Sequence, residues 1–386
     1  MNWPIIPLGE AASFINGYAF KPSDWESEGK EIIRIQNLTK SSGQSNYFSG
    51  KIPLKYLVKK GDLLISWSAT LGIYEWEESD AWLNQHIFKV VFDKKDLDKS
   101  FFRHLISFSL EKMSYEVHGA TMKHITKKKF DAFQIPLPPL PIQKKIAAIL
   151  DEADKLRQLN KDLIAKYDEL TQSLFLDMFG DPVTNPKGWE KVVAAEYYEV
   201  RGRVGWKGYK KTDLRLEGAV VLGATHVTHS GDIDLEKVVY LSDEKFEESP
   251  EIIVKQNDLI FVQRGNTIGK VGLVREDLGD ATINPVVLIF RPVKANPLFL
   301  LYLLMNKGLN REFVNSNSGS AQPMITQKFM KEFLFVNVPI KLQNQFADRV
   351  AEIETQKAQA QTTLGKAEEL FNSLLQRAFK GELVKE

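Results

Sequence analysis

The segment Gly265-Asn266-Thr267-Ile268-Gly269-Lys270-Val271 has the outline of a phosphate-binding loop, with two glycines ahead of a lysine. Such a loop cradles phosphates with backbone N–H groups and holds magnesium through a Ser or Thr after the lysine. Here valine follows Lys270 and the spacing is one residue short, so the segment reads as a turn. Asp80 with Asp93-Lys94-Lys95 loosely imitates the two acids and lysine of a metal-dependent nuclease, a spacing that often arises by chance. His226 and His229 lack the intervening Glu and the helical setting of a zinc hydrolase. An adenine methyltransferase would show Asp/Asn-Pro-Pro-aromatic, whereas the only tandem prolines, Pro138-Pro139, follow Leu137. No nucleophile, base and orienting group can be placed together, so neither a catalytic residue nor a metal ligand is expected. The chain reads as a binding module whose chemistry lives elsewhere.

Other residues suit DNA. Arg201-Gly202-Arg203-Val204-Gly205-Trp206-Lys207-Gly208-Tyr209-Lys210-Lys211 carries five positive residues and no acid, interleaved with glycine and aromatics. That combination fits phosphate contact with close backbone approach. A second basic cluster is Lys123-His124-Ile125-Thr126-Lys127-Lys128-Lys129. Polar groups that follow strands add candidates for base edges: Arg34, Gln36 and Asn37 early in the chain, and His226, Arg264, Asn266, Thr267 and Lys270 later. Arg, Gln and Asn make the bidentate contacts that distinguish guanine and adenine. From the basic stretches the expected DNA-binding residues are Lys123, His124, Lys127, Lys128, Arg201, Arg203, Lys207, Tyr209, Lys210 and Lys211. The bland alternative is a solvated basic loop, but one such loop occurs in each half of the chain.

The halves are copies. Gly119, Ile125, Thr126, Lys128, Phe133, Pro139, Gln143 and Ala147 recur as Gly319, Ile325, Thr326, Lys328, Phe333, Pro339, Gln343 and Ala347. The register holds without a gap to Glu169, Leu170, Ser173, Leu174 and Phe179, which recur as Glu369, Leu370, Ser373, Leu374 and Phe379. Upstream it loosens: Gly61-Asp62-Leu63-Leu64-Ile65 resembles Asn257-Asp258-Leu259-Ile260-Phe261, and Trp3 matches Trp189. The nuclease-like acids have no equivalent in the second copy. In the first copy, residues 32–35, 62–67 and 85–92 are expected as strands, followed by a helix around 101–110 begun by Ser100. That is a mixed α/β domain.

After the proline run Pro136-Leu137-Pro138-Pro139-Leu140-Pro141 the pattern changes to a heptad seam. Ile142, Ile146, Ile149, Ala153, Leu156, Asn160, Leu163, Tyr167, Leu170 and Leu174 form it in the first copy. The second copy gives Phe346, Val350, Ile353, Lys357, Ala360, Leu364, Ala367, Phe371, Leu374 and Ala378, so each stripe has one polar interruption, Asn160 and Lys357. The helix-pairing residues expected are therefore Ile146, Ile149, Leu156, Leu163, Leu170 and Leu174 against Phe346, Val350, Ile353, Leu364, Phe371 and Leu374. At 1.5 Å per residue each helix would be roughly 50–55 Å long. Neither has another long apolar stripe to bury against, so they pair with each other, in either direction. The expected divisions are domains at 1–138 and 181–338 and long helices at 139–180 and 339–386, with Gly180-Asp181-Pro182 breaking the first helix.

A chain of 386 residues with 43% hydrophobic content can bury more than one core. Its 51 Lys and Arg against 50 Asp and Glu leave no overall basic excess, so any positive surface is local. With no cysteine, disulfides and thiolate chemistry are excluded, which fits a reducing cytoplasm. Residues 1–10 lack the apolar core of a signal peptide. The most apolar run, 298–305, is far short of the roughly 20 residues of a membrane span. A cytoplasmic protein is expected.

Taken together these segments resemble the specificity subunit of type I restriction–modification systems. The likeness is carried by Leu137-Pro138-Pro139-Leu140-Pro141-Ile142-Gln143-Lys144-Lys145-Ile146, by Met178-Phe179-Gly180-Asp181-Pro182 and by Leu374-Leu375-Gln376-Arg377-Ala378-Phe379-Lys380-Gly381-Glu382-Leu383. Gly61-Asp62-Leu63-Leu64-Ile65-Ser66 and Gly119-Ala120-Thr121-Met122-Lys123-His124-Ile125-Thr126 look like the recurring motifs of its target recognition domains. The resemblance implies two mixed α/β target recognition domains in tandem, separated by two long helices that pair as an antiparallel coiled coil. Each domain would read one part of a bipartite, asymmetric DNA target. It also implies partners: modification subunits, two copies expected, that carry the adenine methyltransferase site and bind S-adenosylmethionine, and a motor-nuclease restriction subunit using ATP and magnesium. No cofactor is then expected on this chain. The second copy departs at Gln263-Arg264-Gly265-Asn266-Thr267, where the first has Trp67-Ser68-Ala69-Thr70. The rival readings are a coiled-coil adaptor that binds only protein and a metal-dependent nuclease.

Overall fold

Short apolar runs bounded by turn residues form strands, and each long heptad stretch forms a single helix. The computed structural model describes residues 3–41, 45–116, 125–203, 209–315 and 324–384, apart from the side chains of residues 111, 114–116 and 211. The chain divides into two units, Met1–Lys161 with Thr362–Glu386, and Asp162–Gln361. Among the described residues no helix is long and apolar enough to cross a membrane.

Unit 1 runs β1 (Ile5–Pro7), α1 (Leu8–Ala11), β2 (Ser13–Asn16), β3 (Lys30–Ile33), α2 (Ile35–Leu38), β4 (Tyr47–Phe48), β5 (Leu57–Val58), β6 (Leu63–Ser66), β7 (Gly72–Glu75), β8 (Ala81–Leu83), β9 (Ile87–Val91), α3 (Lys99–Glu116), α4 (Lys127–Ala132) and β10 (Gln134–Pro136), then enters α5 (Leu140–Phe179). One antiparallel sheet has the order β2-β9-β6-β7, and a second, β4-β3-β8-β5, contains the parallel pair β3–β8. β1 and β10 form a separate antiparallel ribbon with Ile6 opposite Ile135.

Unit 2 leaves α5 through β11 (Lys191–Val193), β12 (Tyr198–Arg201), β13 (Leu214–Arg215), β14 (Ala219–Leu222), β15 (Val239–Leu241), α6 (Asp243–Glu247), β16 (Leu259–Val262), β17 (Val271–Leu273), β18 (Ala281–Ile283), β19 (Val287–Pro292), α7 (Pro297–Met305), α8 (Lys307–Asn315), α9 (Gln327–Glu332) and β20 (Leu334–Val336) into α10 (Ile340–Phe379). Its sheet β12-β19-β16-β17 repeats the first sheet of unit 1, and β14–β18 repeats the parallel pair. The second sheets differ at their edges: β5 flanks β8 in unit 1, whereas β13 flanks β15 in unit 2.

The expected elements shift at their ends for local reasons. The strand expected at 32–35 stops at Ile33, because the Asn37 side chain accepts the Arg34 N–H at 2.9 Å and turns the chain into α2. The expected helix at 101–110 is the middle of α3, whose cap is Asp98, accepting from the Phe101 N–H at 2.9 Å. Ser100 instead donates its hydroxyl to Asp151 on α5 at 2.6 Å.

Each long helix starts on a proline carbonyl. Pro139 accepts from Ile142 and Gln143 N–H groups, and Pro339 from Leu342 and Gln343. Prolines there forfeit no N–H that the helix needs. α5 ends on Gly180, whose φ of 77° caps the last turn where a side chain would be strained. Gln143 and Gln343, each 1% exposed, tie these helix starts to the heads. Gln143 accepts from the Asp98 N–H at 2.9 Å and donates to the Asp96 and Pro138 carbonyls. Gln343 accepts from the Asn296 N–H at 2.8 Å and donates to the Val338 carbonyl.

Within each unit the two helix segments run antiparallel. In unit 1 the Arg157 guanidinium lies 4.4 Å over the Phe371 ring and Lys161 meets Glu368 at 3.4 Å. In unit 2 Phe175 packs on Phe346 at 5.7 Å and Lys357 pairs with Asp168. Rising numbers on α5 thus meet falling numbers on α10. The interruptions are both satisfied, Asn160 by donating to the Leu156 carbonyl at 2.8 Å and Lys357 by its ion pair.

The seam of α5 is turned by one residue at alternate positions. Ile149, Leu156, Leu163 and Leu170, expected at the pairing face, are 38–49% exposed, whereas Leu150 is fully buried and Thr171 is 3% exposed. Ile146 is buried and Leu174 half-buried, as are Ile353, Leu364 and Leu374 on α10, where Phe346, Val350 and Phe371 are buried. The shifted positions are Leu150, Arg157, Ile164 and Thr171, so apolar residues occupy both alternatives only at 149/150 and 163/164. The repeat decides between them, because Leu150 corresponds to Val350 and Thr171 to Phe371. Leu150→Ala is expected to cost about 2–5 kcal/mol, and Ile149→Ala within about 0.5 kcal/mol, in denaturant unfolding. Equal losses would place Ile149 back in the seam.

Candidate nucleic-acid interface

In unit 1 the β6–β7 turn, Trp67 to Leu71, rises from a buried strand and exposes Ala69 and Thr70. Ala69 holds φ at 58°, an unusual left-handed conformation for a residue with a Cβ. Trp67 anchors the turn by stacking on Phe88 with ring centroids 5.5 Å apart. The Ile125 N–H donates to the Trp67 carbonyl at 3.1 Å, which brings the residues just before α4 against the turn. Unit 2 repeats the bond: Ile325 N–H donates to the Gln263 carbonyl at 2.9 Å, beside the β16–β17 turn. There Arg264, Gly265 and Asn266 are exposed, Thr267 and Lys270 half-buried. A conserved bond thus presents two different turns, of the type that can offer donors to base edges.

Beside the first turn Lys127 is exposed, bonded to Asp131 at 2.7 Å and 5.9 Å from the Phe88 ring centroid. Lys128 and Lys129 are exposed on α4. Lys123, His124 and Lys207 lie outside the described residues, and Lys211 is described by its backbone alone. Lys210 is exposed, with its N–H donating to Asp213. Arg201 is half-buried on β12 and chelates Glu199 at 2.5 and 3.1 Å, which holds the Glu199 carboxyl below its usual range.

Several candidates are committed to the fold. His226 is 8% exposed: its Nδ1 accepts from the Gly223 N–H at 2.8 Å and its Nε2 faces the Lys237 carbonyl at 3.3 Å. With Nδ1 accepting, the proton sits on Nε2. Asn37 does the same job in unit 1, capping the turn after β3 and donating to Glu31 at 3.2 Å. Arg203 is half-buried, donates to the Ile283 carbonyl at 3.1 Å and lies 5.6 Å over the Tyr209 ring. Burial lowers the Arg203 pKa and raises that of the Tyr209 hydroxyl, both signs of groups withdrawn from water. These residues anchor loops rather than reach outward. Gln36 is half-buried on α2.

Sequence reasoning missed Trp25, 42% exposed, with the Arg34 guanidinium 4.8 Å over its ring. A lone exposed Trp carries no pattern to find it by. It also gave no role to Gln143 and Gln343, although their place in the repeat marked them. Among the described residues no group of His, Asp or Glu could hold a metal ion.

Residues 1–167 match the type I restriction modification DNA specificity domain. The type I restriction enzyme EcoBI specificity subunit of Escherichia coli is 26% identical, covering 99% of this chain and 86% of its own. The MjaVIII specificity subunit of Methanocaldococcus jannaschii is 23% identical over 92% of this chain and 86% of its own. Among solved structures, the type I restriction-modification S subunit from M. genitalium matches with a TM-score of 0.55 at 14% identity, covering 98% of this chain and 96% of that one. A chain solved for assembly and conformational transition of the type I R-M system gives 0.56 at 18% identity, covering 99% and 98%. The resemblance seen in the residues is therefore borne out along both repeats, as is the fold it implied.

The two classes of residue separate experimentally. His226→Ala is expected to destabilise by about 1–3 kcal/mol, because it orphans the buried Gly223 N–H. Arg264→Ala is expected to change stability by less than about 0.5 kcal/mol and to weaken DNA binding by about 1–3 kcal/mol. Thermal melts and DNA titrations read both; a destabilised Arg264→Ala with full DNA affinity would reverse the assignment.

Proposed function

We propose that this chain is the DNA-specificity subunit of a type I restriction–modification complex, and that each α/β head reads one half of a bipartite, asymmetric target while α5 and α10 set the spacer. The observation that carries this reading is the repeated bond from Ile125 to Trp67 and from Ile325 to Gln263, which holds two dissimilar exposed turns on one constant frame. The divergent turns supply two specificities, and the repeated helices supply one geometry. Arg264 and Asn266 are the leading base readers in unit 2, with Lys127, Lys128 and Lys210 positioned for phosphates. Arg34 joins them through its stacked pair with Trp25.

Chemistry belongs to the partners in this reading. Two modification subunits would bring S-adenosylmethionine, and a restriction subunit ATP and magnesium, all in the cytoplasm with the DNA. The exposed heptad of Ile149, Leu156, Leu163 and Leu170 supports docking, since it forms a second apolar stripe beside the filled seam. A protein-only adaptor would use that stripe but leave the anchored, divergent turns without purpose.

Mapping methylated adenines in cells that express this chain with its modification subunit should return two short half-targets with a fixed gap. Absence of sequence-selective methylation by an assembled complex would defeat the reading. DNA affinity should fall log-linearly with salt as phosphate contacts displace counterions. Inserting matched heptads into α5 and α10 should lengthen the gap and leave both half-targets unchanged; altered half-targets would show that the helices do more than space.

A further inference from the structure

Arg34 leaves β3 half-buried, with its N–H bonded to the Asn37 side chain at 2.9 Å. The other half-buried arginines, Arg103, Arg157, Arg201, Arg203 and Arg291, each donate to a carboxylate or a carbonyl. Arg34 differs from them, since among the described residues nothing accepts from its guanidinium. Its fork of five N–H donors stays uncommitted. What holds the group is an aromatic face, for the guanidinium lies 4.8 Å over the Trp25 ring. The loop bearing Trp25 is bonded on both sides. Before it, the Lys21 N–H donates to Asp24 at 2.7 Å. After it, Glu26 and Tyr47 exchange backbone bonds at 3.0 and 3.2 Å, and the Glu26 carboxylate accepts from the Ser49 N–H at 2.9 Å. A large ring is thus fixed at the surface, 42% exposed, with an unpaired arginine on its face.

The pair lies at the end of unit 1 that presents the β6–β7 turn. β3 and β8 run parallel with Ile33 opposite Leu83, so Arg34 leaves the sheet beside Asn84. Two residues on, His86 holds φ at 72° and its carbonyl accepts from the Trp67 N–H at 3.3 Å, where that turn begins. The copies place their arginines differently here. Arg264 follows Gln263 in unit 2, whereas the residue after Trp67 is Ser68, which has no fork to offer. Arg34 in turn corresponds to Gly223, where a Cβ would fall 2.3 Å from the Asn284 amide nitrogen. Each head therefore presents an arginine with no acceptor in the chain, on a different turn.

We propose that Arg34 is the guanine reader of unit 1 and that Trp25 is its positioning residue. The inference rests on the specificity-subunit reading. Forked donors match O6 and N7 of guanine in the major groove. A ring beneath the guanidinium fixes the plane of the fork before DNA arrives, so less freedom is lost on docking. A phosphate fits less well. The Asn37 side chain that accepts the Arg34 N–H also donates to the Glu31 carboxylate at 3.2 Å, and negative charge there repels a phosphate more than a neutral base edge. The half-target of unit 1 then contains a G·C pair set by Arg34, read from a turn where unit 2 holds glycine.

The full chain assembled with its modification subunit would be titrated with its mapped target and with duplexes changed one base pair at a time. Arg34→Met keeps the stem against Trp25 and removes every donor; should it fail to fold in melting curves, Arg34→Ala replaces it. The expected result is a G·C pair, in one half-target only, at which wild type discriminates by roughly five- to a hundredfold and Arg34→Met does not. Trp25→Leu should lower the same discrimination, and Trp25→Phe should restore most of it. Full discrimination in Trp25→Leu would overturn the positioning role, since a ring that merely braces its loop leaves base choice untouched. If Arg34→Met weakens binding to every duplex equally and reduces the salt slope by about one, Arg34 is a phosphate contact and the proposal fails. It fails equally if selectivity at every position survives the loss of Arg34. A wild-type complex with no sequence preference at all would instead remove the specificity-subunit reading, a failure distinct from that of Arg34.

Discussion

Neither head closes its own core. The unit 1 core that holds Phe14, Phe88, Phe101 and Phe130 also takes in Phe371, Leu375 and Ala378 of α10. The unit 2 core around Phe261, Phe290 and Phe299 takes in Phe175 and Phe179 of α5 together with Phe346 and Val350 of α10. Each such side chain contributes about 1.5–3 kcal/mol when fully buried, so the helices are held in register by the heads as much as by their own seam. The heptad alone does not do this: much of the seam is half-buried, and Arg157, Asn160 and Lys357 interrupt it with polar groups. Helix register and head folding are one cooperative problem.

Polar anchors complete the coupling. In unit 1 Asp151 on α5 accepts from Ser100, Arg103 and His104 of α3 at 2.6–3.0 Å. Burial lowers the His104 pKa despite the carboxylate beside it, so the neutral imidazole donates this bond. A histidine held neutral in this way resists folding once the solution is acid enough to protonate its unfolded counterpart, so its penalty grows as pH falls below the ordinary histidine range. Unit 2 solves the same problem differently, with Arg275 bidentate to Glu354 of α10 at 2.8 and 3.0 Å and also bonded to Asp232. The joints to the helices are built separately while the sheets β2-β9-β6-β7 and β12-β19-β16-β17 are the same.

What was legible in the sequence followed the strength of the repeat. The helices, their proline starts and the alternation of variable and constant halves were plain, because one offset held across them. The α5 register differs from the heptad at Ile149, Leu156, Leu163 and Leu170, because periodicity favours that fully apolar stripe while the fold buries Leu150 and Thr171 and lays Arg157 over Phe371, positions that only their matches on α10 mark. His226, Asn37 and Arg203 had the residue types of DNA readers, yet their local bonds to Gly223, Arg34 and Ile283 absorb them into turns. Residue type reveals what a side chain can bond; only the fold reveals what it already does bond. Arg264 and Asn266 stayed exposed because Gly265, with φ at 98°, carries the chain outward between them.

The sharing of helices between units has a consequence for ancestry. A chain carrying one repeat would end in a helix whose aromatic tail, the counterpart of Phe175 and Phe179, had no head of its own to enter. Two such chains could lodge their tails in each other's heads and so reproduce the arrangement seen here. Fusing the two genes would then join partners whose interface was already made, leaving each head free to change its turn without renegotiating the joint.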